Sequence, residues 1–153
     1  MTIEDDIAFF ERVPTLGLLG RDALRILAIG AESRYVHGGE VLFEIGDDAD
    51  AGFVIQEGSF SLSSGQADEV EPFVVGRGAL IGELALITET QRPATATALE
   101  PSTVLRIPRS LFLKMLDGFP NAAEKLRDFL ATRSNQSAAD IYSVRGSLDA
   151  QEP

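Results

Sequence analysis

The chain reads as mainly β with flanking helices, and three observations predict that class. Short runs rich in Val, Ile, Phe and Tyr fill its middle, from Tyr35 to Val75 and again from Thr95 to Ile107. Turn signals punctuate them: Gly38-Gly39, Gly46-Asp47-Asp48, Glu57-Gly58, Ser64-Gly65 and Gly76-Arg77-Gly78. Their spacing of roughly 8–12 residues is that of an antiparallel sandwich or barrel. Apolar residues at helical intervals, with start and stop signals, are confined to the two ends.

At the N-terminus, Thr2 with Asp5 forms a helix-capping pair, and Ile3, Ile7 and Phe10 predict a helix from Ile3 to about Arg12, ended by Pro14. Leu24, Leu27 and Ala28 predict a second one up to Gly30. The expected strands are Tyr35-Val36, Val41 to Phe43, Phe53 to Ile55, Phe60 to Leu62, Phe73 to Val75, Thr95 to Leu99 and Thr103 to Ile107. Phe43, Phe53, Phe60 and Phe73 are read as core residues. Pro108-Arg109-Ser110 opens a helix with the stripe Leu111, Phe112, Met115 and Leu116, stopped by Asp117-Gly118. Asn121 is read as the cap of a last helix carrying Ala122, Leu126, Phe129 and Leu130.

At 153 residues, with 44% hydrophobic and 24% charged residues, the chain predicts one globular domain. Against 24 acids stand 13 Lys plus Arg, a net charge of −11. So acidic a surface repels nucleic acid and anionic membrane, and neither is an expected partner. The absence of cysteine excludes disulfides, thiolate catalysis and zinc–sulfur sites. His37 is the only histidine, too few for a metal site of the cupin kind, and it sits beside the turn Gly38-Gly39 with no nucleophile motif near it, which argues against a Ser-His-acid arrangement. The acids Asp47, Asp48 and Asp50 lack calcium-loop spacing and are read as a solvated turn. No enzyme chemistry emerges. With an acidic start and no long apolar run, the expected location is the cytoplasm.

The segment Ile81 to Ala98, IGELALITETQRPATATA, carries the chemistry. Gly82 precedes a short helical turn, Glu83 to Ile87, whose leading N–H groups attract an anion. Arg92, ten residues beyond Gly82, adds a permanent cation whose planar fork suits phosphate oxygens. Glu83 only accepts hydrogen bonds, so its counterpart is a ligand hydroxyl. An anion beside a hydroxyl describes a sugar phosphate. As a loop cation, Arg92 is expected to serve the anion rather than the core.

The series Gly82-Glu83-Leu84-Ala85-Leu86, then Arg92, then Ala94-Thr95, resembles the phosphate-binding cassette of the cyclic nucleotide-binding domains found in kinase regulatory subunits, gated channels and catabolite activators. The phrases Gly39 to Phe43, Ile45 to Asp47 and Val54 to Gly58 also look like that family's strands, and the resemblance covers roughly Phe9 to Arg133. It implies a double-stranded antiparallel β-roll, a jelly-roll-like barrel, with N-terminal helices and C-terminal lid helices. The matching Glu83 would take the ribose 2′-hydroxyl and Arg92 the cyclic phosphate, with amides from Gly82, Leu84 and Ala85. Two residues depart from the pattern. Pro93 has no N–H where the family offers one, although Ala94 is retained, and Glu89 replaces a frequent glycine.

The resulting expectation is one domain over residues 1–133 and a polar tail or lid extension over 134–153, with Tyr142 as a candidate ring over the purine. Only 20 residues follow Arg133, too few for the DNA-binding domain of a catabolite activator, so the expected output is an unidentified protein partner or self-association. Function is read as a non-catalytic sensor of a cyclic nucleotide, cyclic AMP favoured over cyclic GMP. The alternative is a degenerate domain that binds a protein without nucleotide.

Overall fold

The computed structural model describes residues 2–65 and 72–132. Two helices come first, α1 (Ile3–Glu11) and α2 (Arg21–Gly30), joined by a 3₁₀ turn at Leu16–Leu18. Thr2 caps α1 in a reciprocal box with Asp5, as its spacing predicts. The strands follow: β1 (Glu32–Val36), β2 (Val41–Phe43), β3 (Asp48–Ala49), β4 (Ala51–Glu57), β5 (Ser59–Ser63), β6 (Phe73–Gly76), β7 (Leu80–Ile81), β8 (Thr90–Gln91), β9 (Thr95–Ala98) and β10 (Ser102–Pro108). Helix α3 (Arg109–Gly118) and a last helix, α4, over 120–132 close the described chain. The expected tail over 134–153, Tyr142 included, lies outside the described residues.

Two antiparallel four-stranded sheets, β1-β10-β4-β7 and β2-β9-β5-β6, are joined by the small pair β3-β8. This is the expected β-roll, but its sheets do not close into a barrel. Alternation along the central strands explains the layering. Val54, Leu105 and Ile107 turn toward a core shared with all four helices, whereas Phe53, Ile55 and Val104 turn toward the second sheet and meet Phe60, Ala96 and Ala98. Strand β4 is thus buried on both faces and serves as the backbone against which the cassette is set.

Two expectations are corrected. Phe73 is exposed at 57% rather than buried, because β6 is the edge of its sheet and pairs only with β5. Asn121 lies inside α4 rather than capping it. The helix already begins at 120, where Pro120 suits a first helical position whose N–H would have no partner.

Candidate functional site

Gly82 follows β7 and adopts the left-handed conformation, φ 81° and ψ 35°, immediately before a 3₁₀ turn at Glu83–Leu86. Glycine takes this conformation without the Cβ clash that other residues meet. The N–H of Ala85 donates back to the Gly82 carbonyl at 3.1 Å. That bond closes the turn. The N–H of Leu84 precedes the first bond of the turn and takes no part in it. Leu84 itself points outward, 57% exposed.

Arg92 stands between β8 and β9, where two hydrogen bonds pin its backbone. Its N–H donates to the Asp47 carbonyl and its carbonyl accepts from the Gly46 N–H, each at 2.8 Å. The side chain turns inward and is only 5% exposed. It is thus a buried cation, not the loop cation that the sequence suggests. Its guanidinium carbon lies 4.3 Å from the centre of the Phe43 ring and 5.4 Å from that of Phe53. Such stacking is worth about 2 kcal/mol when water is excluded.

One guanidinium nitrogen donates to the Ala51 carbonyl at 2.9 Å. The other two, Nε and Nη1, are buried without a hydrogen-bond partner. Burial lowers the pKa of this group from its ordinary value, against the opposing pull of the Asp50 and Asp47 charges. A buried charge left with idle donors is costly. The arrangement is the one expected of a cation waiting for an anion.

Glu83 begins the turn and is half-buried. One carboxylate oxygen accepts a hydrogen bond from the hydroxyl of Thr15, in the segment between α1 and the first 3₁₀ turn. Arg109, the first residue of α3, braces the far end of the cassette. One of its nitrogens reaches the carbonyls of Ala49 at 2.9 Å, Thr88 at 3.1 Å and Ala85 at 3.2 Å. Pro93 is exposed beside Arg92, and Ala94 is half-buried. Asp50 pairs with Arg106 at 3.2 Å, and no group of metal-binding side chains occurs among the described residues.

With that geometry in place, the sequence profile of the cyclic nucleotide-binding domain matches residues 33–119, more than half of the chain. The chain belongs to the cyclic nucleotide-binding domain family. The domain is 29% identical over 117 residues to the lysophospholipase NTE1 of Chaetomium globosum, covering 75% of this chain and 8% of that protein. It is 30% identical over 127 residues to a cyclic nucleotide-gated potassium channel of Mesorhizobium japonicum, covering 83% of this chain and 34% of the channel. Among solved structures, a cyclic nucleotide-binding-like protein from Brucella abortus matches with a TM-score of 0.66 and 35% identity, covering 74% of this chain and 98% of that one. The domain thus spans less than a tenth of the first relative and about a third of the second. Similarity to the lysophospholipase concerns this small portion of it.

Thr15 and Arg109 are the members of the site that sequence reasoning passed over. Arg109 left a faint signal, a cation at a helix start, where the helix dipole disfavours it unless carbonyls receive it. Thr15 left none.

Proposed function

We propose that this cyclic nucleotide-binding domain is a non-catalytic sensor that binds a cyclic nucleotide, with cyclic AMP favoured over cyclic GMP. Arg92 takes the cyclic phosphate, the amides of Gly82, Leu84 and Ala85 add donors, Gly82 leaves room for the guanidinium and Ala94 for the phosphate, and the Glu83 carboxylate takes the ribose 2′-hydroxyl. The observation that carries the reading is the buried Arg92 guanidinium, two of whose nitrogens have no partner, beside a glycine. An entering phosphate satisfies those donors in a site of low dielectric, where charge-assisted bonds are strongest. Proline at 93 lacks the hydroxyl that sits at this position in family members preferring cyclic GMP, which favours the adenine nucleotide.

Calorimetric titration with cyclic AMP and cyclic GMP tests this. Saturable binding of cyclic AMP, tighter than of cyclic GMP, supports it. Heat from neither ligand favours the alternative, a domain that kept the fold and binds a protein partner, for which the lost donor at Pro93 is the motive. In this reading the output of the sensor goes to another protein or to a second copy of the chain, and its acidic, largely polar N-terminus fits a cytoplasmic location. No helix among the described residues is long and apolar enough to cross a membrane.

A further inference from the structure

We infer that Thr15 is a positioning residue that sets the sugar specificity of the site, its hydroxyl holding the Glu83 carboxylate in the orientation that receives a ribose 2′-hydroxyl. The inference rests on the nucleotide-binding reading above. Among the described residues, Thr15 is the one residue other than glycine with a positive φ, at 77° with ψ −52°. These angles fall near the classic γ-turn, a rare and strained conformation, and a β-branched side chain suits it least. Glycine would sit there without strain. A threonine held in such a place needs a reason of its own.

The surroundings supply the holding force. Thr15 is 5% exposed and lies between Val13 and Leu16, which are 1% and 0% exposed. Tight turns fix the segment on both sides, with Gly17 N–H on the Val13 carbonyl at 2.9 Å and Leu19 N–H on the Leu16 carbonyl at 3.0 Å. A side chain on Gly17 would meet the Glu11 carbonyl oxygen at 2.7 Å, so the chain has little room to relax. The polar product of this strained geometry is one hydroxyl, aimed across 68 residues of sequence at one oxygen of Glu83.

Glutamate has three rotatable side-chain bonds, and a ligand that must order them binds more weakly. A carboxylate accepts several hydrogen bonds over its two oxygens, so the threonine bond orients the group without using up its capacity for a ligand hydroxyl. Thr15 therefore acts on the affinity for the 2′-hydroxyl and not on the affinity for the phosphate.

The test compares cyclic AMP with 2′-deoxy cyclic AMP by calorimetry on the whole chain, for wild type, Thr15→Gly and Thr15→Ser. Wild type should prefer the ribose ligand by about tenfold or more, the worth of a hydrogen bond to a charged group. In Thr15→Gly, which is at ease with the backbone but has no hydroxyl, that preference should fall by about fivefold, the worth of roughly one hydrogen bond. Thr15→Ser, which keeps the hydroxyl, should restore it. Equal weakening of both ligands in Thr15→Gly overturns the inference, since that is what a merely structural residue does. So does loss of the preference in a folded Thr15→Ser, which decides the matter even if the glycine variant is unstable. A wild type that binds neither ligand overturns the sensor reading itself, and the role of Thr15 falls with it.

Discussion

Arg92 fills the space that a side chain on residue 82 would need: a Cβ built on Gly82 would lie 2.5 Å from the Arg92 Nη1 and 3.3 Å from the Ala51 carbonyl oxygen. The glycine is required twice over, once by its left-handed backbone and once by the guanidinium against it. Gly82→Ala should therefore cost about 1–3 kcal/mol of stability in urea unfolding, from backbone strain and from displacing the cation. Cyclic AMP binding should weaken by about tenfold or more, since Arg92 can no longer present the same two nitrogens. Unaltered affinity in this variant would mean that the anion does not sit at Arg92.

Arg92 also sets binding against stability. Its guanidinium is buried against two phenylalanine rings with idle donors, and replacing an incompletely compensated buried charge by an apolar group of similar length is often stabilising. Arg92→Met should abolish cyclic AMP binding while raising the unfolding free energy of the ligand-free domain by about 1 kcal/mol. Thermal melts with and without nucleotide check both halves. A destabilised Met variant would show that the cation supports the fold.

Pro93 provides a change in the opposite direction. It is exposed next to Arg92 and has no N–H. Pro93→Ala returns one donor, worth about 1.5–3 kcal/mol to a charged acceptor. Part of that is offset, because proline stiffens the ligand-free loop. Cyclic AMP should bind roughly threefold to a hundredfold more tightly. Weaker binding would show that this position faces away from the phosphate.

Acid stability has its own test in Asp6, on α1. One of its carboxylate oxygens is buried without a partner, and burial, aided by the neighbouring Asp5 charge, raises its pKa above 3.8. The fold therefore favours the protonated form. The stability this contributes is complete below about pH 3.8 and is lost as pH rises through the higher folded value. Asp6→Asn, which is never charged, should be more stable than wild type at pH 7, and the gap should narrow as the pH falls toward that of the free carboxyl. Urea midpoints across that range measure it. A gap independent of pH would place the effect in helix capping or packing.

The parts of the fold legible in the sequence were those written in periodicity or in a fixed interval. Helix α1 declares itself through Thr2 and Asp5, and the long strands through alternation about glycine turns. Strands β3, β7 and β8 are each two residues long, too short to show any period, yet β3 and β8 hold the loop that carries Arg92. Glu83 and Arg92 could be found because their spacing is a property of one segment. The burial of Arg92 could not, because Phe43 and Phe53 come from β2 and β4 and approach each other, to 5.9 Å, only in the folded chain. Thr15 is the extreme case, since nothing about a threonine in a loop announces a positive φ or a glutamate distant in sequence.

The stacked Phe43 ring gives Arg92 a spectroscopic signature. Protons held above the face of an aromatic ring are shielded by its circulating electrons, and the guanidinium carbon lies 4.3 Å from that ring's centre. The Nε–H and Nη–H resonances of Arg92 should therefore stand upfield of those of arginines with no ring beneath them, a shift shared in part by Arg77, whose guanidinium carbon lies 4.9 Å from the centre of the Phe9 ring. An arriving anion deshields the same protons as it accepts their hydrogen bonds. One side chain thus reports occupancy of the site by the direction in which its signals move, without any label attached to protein or ligand beyond the nitrogen isotope.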